Sequence, residues 1–244
     1  MKKSCIKICP SILAGDFAFL CDESKRVEES GADWLHVDVM DGHFVPNLTI
    51  GPQVVAAINR STKMFLDVHL MMYNPYDYVE RFVEAGADMI TFHFEATEDV
   101  EETLAYIRRC NVKAGLAFNP ETSASFIPKF LPLCDMVLLM TVPPGFGGQK
   151  FHKDVIEKIT FTRTACNTLG IRKGGIIVGK SQKTDLLPFD IEVDGGINEN
   201  TAIECAKAGA NVFVAGTSLF SQGDMKRAVS ELRAVSEENF EENC

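Results

Sequence analysis

Residues 31–42 read Gly-Ala-Asp-Trp-Leu-His-Val-Asp-Val-Met-Asp-Gly, which predicts a helix end, a buried strand and a polar turn in direct succession. The glycine can adopt the left-handed conformation that ends a helix. The apolar run over 34–39 is typical of a strand that is covered on both faces. Similar junctions, Gly86-Ala87-Asp88 and Gly209-Ala210-Asn211, precede two further apolar runs. The recurrence indicates a repeated unit in which a helix is followed by a strand.

Eight apolar runs of strand length occur along the chain, with amphipathic stretches of helical length between them. They span residues 6–11, 34–39, 64–70, 89–94, 113–118, 136–140, 191–194 and 212–215. This alternation predicts a parallel sheet. A doubly wound sheet normally has fewer strands and an early glycine-rich turn, whereas eight strands in 244 residues match a barrel. We therefore predict an α/β fold, a (β/α)8 TIM barrel of the phosphate-binding type, with residues 1–244 as a single domain.

The regular spacing is interrupted between the sixth and seventh predicted strands. Residues 151–170 are predicted to form a long helix, which leaves residues 171–188 unassigned. Within that remainder, Ile176-Ile177-Val178 predicts a short irregular strand outside the barrel. The sequence indicates no function for this segment.

The composition excludes several classes of function. A net charge of -10 argues against binding to nucleic acid or to an anionic membrane surface, because such binding needs a basic face. No apolar run approaches the length of a membrane span, and Lys7 and Pro10 interrupt the stretch that a secretion signal would need. The eight cysteines are scattered without a C-x-x-C pair, so we expect reduced thiols, with Cys9, Cys134 and Cys205 buried. We expect a cytoplasmic protein.

Polar residues at the ends of the predicted strands indicate a metal site. In a TIM barrel the active site lies at the carboxyl ends of the strands. His36 and Asp38 are two residues apart on one strand and so share a face, while His69 and Asp194 end two other strands. His36 and Asp38 alone would fit a hydrogen-bonded core histidine and a capping aspartate. The four together suit a divalent ion such as Zn, Fe, Mn or Co.

Three glycine-rich loops indicate a phosphate site. They are Pro143-Pro144-Gly145-Phe146-Gly147-Gly148-Gln149, Asp194-Gly195-Gly196 and Gly216-Thr217-Ser218, which follow the last three predicted strands. Glycines let backbone amides approach an anion, and barrels commonly hold phosphate after strands seven and eight. A single loop of this kind is usually a turn. Three on adjacent strands favour a phosphate-binding site.

Three methionines, Met40, Met71 and Met140, also lie at or just past strand ends. They fill the core, or they form an apolar wall that excludes water beside the reacting carbons. The sequence leaves both interpretations open.

Nearly the whole chain, from Cys9-Pro10-Ser11-Ile12-Leu13-Ala14 to Val214-Ala215-Gly216, resembles the ribulose-phosphate 3-epimerase family. The resemblance is carried by residues 32–42, Phe44-Val45-Pro46-Asn47, Asp67-Val68-His69-Leu70-Met71, Pro144-Gly145-Phe146-Gly147-Gly148-Gln149 and Glu192-Val193-Asp194-Gly195-Gly196-Ile197. It implies epimerisation at C3 between D-ribulose 5-phosphate and D-xylulose 5-phosphate, in the pentose phosphate pathway.

The resemblance also implies residue roles. Asp38 and Asp194 are expected to be the acid/base pair, and one divalent ion is expected on His36, Asp38, His69 and Asp194, with no organic cofactor. The expected substrate contacts are Ser11, His69, Gly145, Phe146, Gly147, Gly148, Asp194, Gly195, Gly196, Gly216 and Thr217. The expected partner is a small ketose phosphate, and we expect a homo-oligomer.

Two other functions fit the same sequence. An epimerase for another ketose phosphate, such as a hexulose 6-phosphate, would use the same chemistry, and the length of the pocket would distinguish it. A catalytically silent barrel that only binds a phosphorylated metabolite is disfavoured, because both carboxylates and both histidines are present.

Overall fold

The computed structural model describes residues 5–172, 175–176 and 187–240 of the 244-residue chain. Eight parallel strands form one sheet in the order β1, β8, β7, β6, β5, β4, β3, β2, where the strands are β1 (Lys7–Pro10), β2 (Trp34–Met40), β3 (Phe65–Met71), β4 (Met89–His93), β5 (Lys113–Phe118), β6 (Met136–Met140), β7 (Asp190–Asp194) and β8 (Val212–Ala215). A parallel bridge between Ser11 and His36 joins the first and last strands of this order. The predicted TIM barrel is confirmed.

Helices lie between the strands along the chain. The α-helices of the described residues are α1 (Leu20–Glu29), α2 (Pro52–Ser61), α3 (Val79–Glu84), α4 (Val100–Arg109), α5 (Ile127–Phe130), α6 (Val155–Leu169), α7 (Glu199–Ala208), α8 (Thr217–Phe220) and α9 (Met225–Asn239). Short 3-10 turns cover Ile12–Ala14, Phe17–Phe19, Pro75–Tyr78, Phe94–Ala96 and Ala124–Phe126. None of the described helices is long and apolar enough to cross a membrane.

Strand β2 shows how the sequence divides residues between the two faces of the barrel wall. Leu35, Val37 and Val39 belong to the main hydrophobic core, which packs the strands against the helices. The alternate residues His36 and Asp38 therefore point to the barrel interior, because successive side chains of a strand face opposite ways. A strand that is buried on both faces reads as a nearly continuous apolar run. His36 and Asp38 are conspicuous exceptions in that run.

The barrel interior holds an apolar cluster and buried ionisable side chains. At the amino end of the strands a small cluster fills the interior, with Cys9, Trp34, Met89, Met136, Val212 and Val214 in contact. Buried ionisable side chains share the interior with this cluster, including His36, Asp67, His69, His93 and Glu192. Trp34, Met89, Met136 and Val212 are the first residues of their strands, whereas Val214 is in register with Asp194.

The strand register brings specific polar residues together. Between β2 and β3, His36 is paired with Asp67 and Asp38 with His69. Between β6 and β7, Met140 is paired with Asp194. A slip of one residue would turn these side chains to the outer face of the wall.

The segment between β6 and β7 corrects the predicted helix over residues 151–170. Helix α6 begins at Val155, because the His152 amide donates to the Thr141 carbonyl oxygen at 2.8 Å and holds the preceding residues against the end of β6. Ile171–Arg172 and Gly175–Ile176 form a small antiparallel pair outside the barrel. Of the predicted strand over 176–178, residue 176 lies in this pair, and residues 177 and 178 lie outside the described residues.

The described cysteines match the prediction that the thiols are reduced and that three named cysteines are buried. Cys9, Cys134 and Cys205 are buried, and the seven cysteines among the described residues are all free.

Replacing Gly115 with alanine tests the packing of the barrel interior. Gly115 lies on β5, and an added Cβ would overlap Thr91 Oγ1 and come within 3.0 Å of Thr91 Cβ. We expect Gly115→Ala to lower the free energy of unfolding by about 1–3 kcal/mol, since overpacking a core forces its neighbours to shift. Urea titration measures the change, and Gly223→Ala, where nothing lies within 4 Å, is the control. Equal stability of the two variants would contradict this account of the interior.

Candidate active site

A cavity of about 740 Å³ opens at the carboxyl ends of the barrel strands. Most residues that the sequence predicted for the site line it: Ser11, Asp38, Met40, Met71, Met140, Gly145, Phe146, Gly147, Gly148, Asp194, Gly195, Gly196, Gly216 and Thr217. His36 and His69 are fully buried and do not line the cavity. They contact Asp38 inside the barrel.

The four predicted metal ligands are close together. One ligand atom from each of His36, Asp38, His69 and Asp194 lies within 4.8 Å of all the others. Asp38 Oδ1 lies 3.2 Å from His36 Nε2 and 3.1 Å from His69 Nδ1. The second oxygen, Asp38 Oδ2, accepts a hydrogen bond of 2.6 Å from the Ser11 hydroxyl. The sequence selected these four residues, the structure places them close together, and their role as ligands stays a prediction.

The environment of His36 fits a bound cation. His36 Nδ1 pairs with Asp67 Oδ2 at 2.6 Å, and Nε2 is directed at the cluster, where it contacts Asp38 Oδ1 at 3.2 Å without the geometry of a hydrogen bond. A carboxylate behind a ligating histidine sets the tautomer of the ring in metal sites. Burial opposes a charge on His36, but the carboxylates of Asp38 and Asp67 outweigh it and raise the pKa of His36 well above its ordinary value. The carboxylates therefore favour a positive charge at this cluster. A set of two nitrogens and two carboxylates suits a divalent metal ion for the same reason.

The pKa values of the two aspartates are shifted in opposite directions. Burial would raise the pKa of Asp38, but the close approach of His36 and His69 to Oδ1 holds it well below its ordinary value. Burial and the neighbouring charge of Asp38 raise the pKa of Asp194 to about 7. Environments that separate the pKa values of two carboxyl groups are typical of acid and base pairs in enzymes.

Asp67 and Glu192 are buried acids of the site to which sequence reasoning assigned no role. Both lie in the barrel interior with His36, and one ligand atom of each of these three residues lies within 4.8 Å of the others. Burial and the charge of Asp67 raise the pKa of Glu192 well above its ordinary value. Asp67 precedes His69 by two residues, and Glu192 precedes Asp194 by two. That spacing was the available signal, because alternate residues of a strand share a face.

Sequence reasoning assigned no role to His93, the last residue of β4, or to Glu95. His93 Nε2 lies 2.9 Å from His69 Nε2, and the two rings stack with centroids 5.0 Å apart. The Nδ1 atom of His93 pairs with Glu95 Oε2 at 3.3 Å. Burial lowers the pKa of His93 to about 4. A neutral imidazole thus stacks on His69, which is a candidate ligand.

The glycine-rich loops need glycine for backbone geometry. Gly195 has a φ of +119°, and a Cβ there would overlap Val142 Cγ2. Gly148 has a φ of +73° and open space around it, so its backbone can face the cavity without a side chain. The side-chain Nδ2 of Asn47 donates to the Gly145 carbonyl oxygen at 2.8 Å. This bond connects the glycine-rich loop after β6 to the loop that follows β2. The loops are suited to binding an anion through main-chain amides.

Two lysines at the cavity were missed by sequence reasoning. Lys150 and Lys153 line it beside the glycine-rich loop. They place positive charge near the expected anion in a chain whose net charge is -10. Lysines next to a glycine-rich motif were the available signal.

The fold and the site define a phosphate-binding TIM-barrel enzyme with a candidate metal centre of two histidines and two aspartates. The profile of the ribulose-phosphate 3 epimerase family matches residues 7–220. The chain belongs to the ribulose-phosphate 3-epimerase family, as the sequence predicted.

Curated relatives agree over nearly the full length. The chain is 51% identical over 239 residues to the ribulose-phosphate 3-epimerase of Chlamydia muridarum, covering 98% of this chain and 99% of that protein. It is 47% identical over 228 residues to the ribulose-phosphate 3-epimerase of Bacillus subtilis, covering 93% of this chain and 98% of that protein. These relatives support an epimerase of carbohydrate metabolism.

Solved structures of low sequence identity show the fold alone. KGPDC from Streptococcus mutans aligns with a TM-score of 0.68 at 11% identity, covering 97% of this chain and 99% of that one. A 3-hexulose-6-phosphate synthase aligns with a TM-score of 0.62 at 18% identity, covering 94% of this chain and 99% of that one.

Substitution of His36 tests the candidate metal centre. We expect His36→Ala to lower the bound divalent metal to a small fraction of the wild-type content, because the ligand nitrogen is lost from a rigid strand. Elemental analysis by mass spectrometry measures the metal, and circular dichroism checks the fold. His43→Ala, at an exposed loop position, is the matched control. Undiminished metal in a folded His36→Ala protein would show that the ion lies elsewhere.

Proposed function

We propose that the enzyme interconverts D-ribulose 5-phosphate and D-xylulose 5-phosphate by inverting C3, a step of the pentose phosphate pathway. The observation that carries the proposal is the pair of carboxyl groups, Asp38 and Asp194, which line one cavity beside three glycine-rich loops and differ in pKa. Inversion requires removal of a proton from one face of C3 and delivery of a proton to the other. Two carboxyl groups whose pKa values lie apart provide both functions.

The two aspartates exchange roles with the direction of the reaction. Asp38, ionised beside two histidines, removes the proton from one face of C3. Asp194 protonates the opposite face and becomes the base of the reverse reaction. Ser11 holds Asp38 Oδ2 by its hydroxyl and so orients the carboxylate. Proton transfer by a positioned side chain contributes about 10²–10⁴-fold to a rate.

We propose that one divalent ion, Zn, Fe, Mn or Co, binds to His36, Asp38, His69 and Asp194, and that no organic cofactor takes part. When bound, the cation supplies electrostatic stabilisation of the negative charge that develops on the substrate oxygens. The buried Nε2 of His36, which has no hydrogen-bond partner, supports this assignment. The mixed nitrogen and oxygen ligands are compatible with each of the four metals.

The remaining predicted contacts define where the substrate would lie. We propose that the loops at 145–148 and 194–196, with Gly216 and Thr217, bind the phosphate mainly through backbone amides. The cavity is lined by Met40, Met71 and Met140. This position supports their proposed role as an apolar wall beside the reacting carbons. His69 is fully buried, so its proposed contribution to the substrate is made through the metal centre.

We also propose a homo-oligomer, a single domain over residues 1–244 and a cytoplasmic location. Tyr73, Tyr76 and Tyr78 follow β3 and are 51%, 38% and 41% exposed, and exposed aromatic side chains are enriched in protein interfaces. The free thiols of the described cysteines support a reducing compartment.

Solvent isotope exchange tests the acid/base pair. In deuterated water, the wild type is expected to place deuterium at C3 of xylulose 5-phosphate formed from ribulose 5-phosphate. Asp38→Asn and Asp194→Asn are each expected to lower net epimerisation by at least about 10²-fold, because one proton transfer is lost. One of the two variants can still exchange the C3 proton without inversion, since the remaining carboxylate can remove and return it on one face. Proton NMR measures exchange and inversion separately.

Metal content must accompany this measurement, because both aspartates are also proposed ligands. A fully metallated double variant that still epimerises at a substantial rate would remove Asp38 and Asp194 from the acid/base roles.

Replacement of Gly148 tests the proposed phosphate site. We expect Gly148→Val to raise KM for ribulose 5-phosphate by about tenfold or more without loss of metal, because valine is strained at positive φ and moves the loop amides. Steady-state kinetics and elemental analysis measure the two effects. Gly223→Val, at an exposed glycine outside the cavity, is the control. An unchanged KM would contradict the assignment of this loop to phosphate.

A further inference from the structure

A chain of close polar contacts runs from the candidate metal centre to a carboxylate outside it. His69 Nδ1 lies 3.1 Å from Asp38 Oδ1, and His69 Nε2 lies 2.9 Å from His93 Nε2. His93 Nδ1 then lies 3.3 Å from Glu95 Oε2. Both imidazoles are fully buried. The proposed reaction uses neither His93 nor Glu95, and neither residue lines the cavity.

The chain has two possible directions. Two neutral imidazoles carry one N–H each, so only one of the two facing Nε2 atoms can be the donor. If His69 Nε2 donates, His93 donates from Nδ1 to Glu95, and His69 Nδ1 keeps a lone pair toward Asp38 Oδ1, a contact between two acceptors that becomes favourable when a cation binds to both atoms. If His93 Nε2 donates, His69 carries its proton on Nδ1, and the unprotonated His93 Nδ1 faces the Glu95 carboxylate. Only the first direction lets His69 act as a ligand.

The environment of Glu95 favours the first direction. Its other oxygen, Oε1, accepts from the Asn119 amide at 2.9 Å and from the Thr122 hydroxyl. These donors fix the carboxylate, so that Oε2 remains for His93. An ionised carboxylate can only accept, and it therefore stabilises the His93 tautomer with the proton on Nδ1.

We propose that Glu95 and His93 are positioning residues that hold His69 in the tautomer whose Nδ1 can bind the metal. The inference rests on the proposed metal centre and extends it by two residues beyond the ligand set. Outer partners of ligating histidines commonly change metal affinity by about 10–100-fold when they are substituted.

Glu95→Gln reverses the chain with little change of shape. The Asn119 and Thr122 donors require an acceptor at Oε1, so the glutamine carbonyl oxygen takes that position. Its amide nitrogen then donates toward His93 Nδ1. His93 must respond with its proton on Nε2, and His69 with its proton on Nδ1. The substitution thereby opposes metal binding without removing a ligand.

The test compares zinc affinity and histidine tautomers. Competition with a chelator is expected to show zinc binding weakened by about 10–100-fold in Glu95→Gln. Nitrogen-15 NMR is expected to place the proton on Nδ1 of His93 in zinc-loaded wild type, and on Nδ1 of His69 in metal-free Glu95→Gln. At saturating zinc, kcat should recover to within a fewfold of wild type, since Glu95 does not line the cavity. Glu98→Gln, at an exposed position with the same change of charge, is the control.

His93→Phe separates hydrogen bonding from packing. His93 stacks on His69 and lies 4.8 Å from Phe44 between ring centroids, and phenylalanine keeps a ring in this place. We expect it to weaken zinc binding as Glu95→Gln does, because the acceptor for His69 is lost.

The outcomes are distinct. Zinc affinity within twofold of wild type in Glu95→Gln would overturn the positioning role. A His69 proton that stays on Nε2 in metal-free Glu95→Gln would overturn it as well. A His93→Phe variant with wild-type affinity would reduce His93 to packing and overturn it too. Failure of the wild type to bind zinc, manganese, iron or cobalt would instead overturn the metal centre itself.

Discussion

The buried carboxylate of Asp38 is the constraint on which the rest of this structure depends. It has little access to water, and a buried charge is tolerated only when it is paired and hydrogen-bonded. Ser11 at the end of β1, His36 on the same strand β2 and His69 on β3 all contact its two oxygens. The same contacts lie where β1 and β2 close the barrel through the Ser11 and His36 bridge. Barrel closure and site assembly therefore depend on the same residues.

A polar interior of this kind needs support from elsewhere. The main hydrophobic core packs the outer faces of the strands against the helices, and a second apolar cluster fills the amino end of the barrel. These contacts supply stability that the buried acids and imidazoles do not. The separation matches the general division of TIM barrels into a stabilising amino end and a functional carboxyl end. It also lets the ionisable residues adopt shifted pKa values that a solvated surface would not allow.

The proposed anion site combines main-chain amides with two lysines that line the cavity. Three loops that follow β6, β7 and β8 meet at the cavity, and Thr141 ties two of them by donating to the Asp194 carbonyl oxygen at 2.9 Å. Because the amides are fixed by backbone geometry, a protein of net charge -10 can offer a local anion site without a broad basic surface. The candidate metal centre and the proposed anion site meet at Asp194, which belongs to the ligand cluster and begins the second glycine-rich loop.

The sequence by itself determined the number of strands, the barrel and the four candidate metal ligands, because apolar periodicity and strand-end position are local properties. His36, Asp38, His69 and Asp194 could be selected as polar exceptions at the ends of apolar runs. Tertiary structure decided that α6 starts at Val155, because that boundary depends on the contact between His152 and Thr141. It also decided the partners of the histidines. Asp67 meets His36, and His93 meets His69 with Glu95 behind it, because strand register and barrel curvature set which side chains of neighbouring strands come within hydrogen-bonding distance.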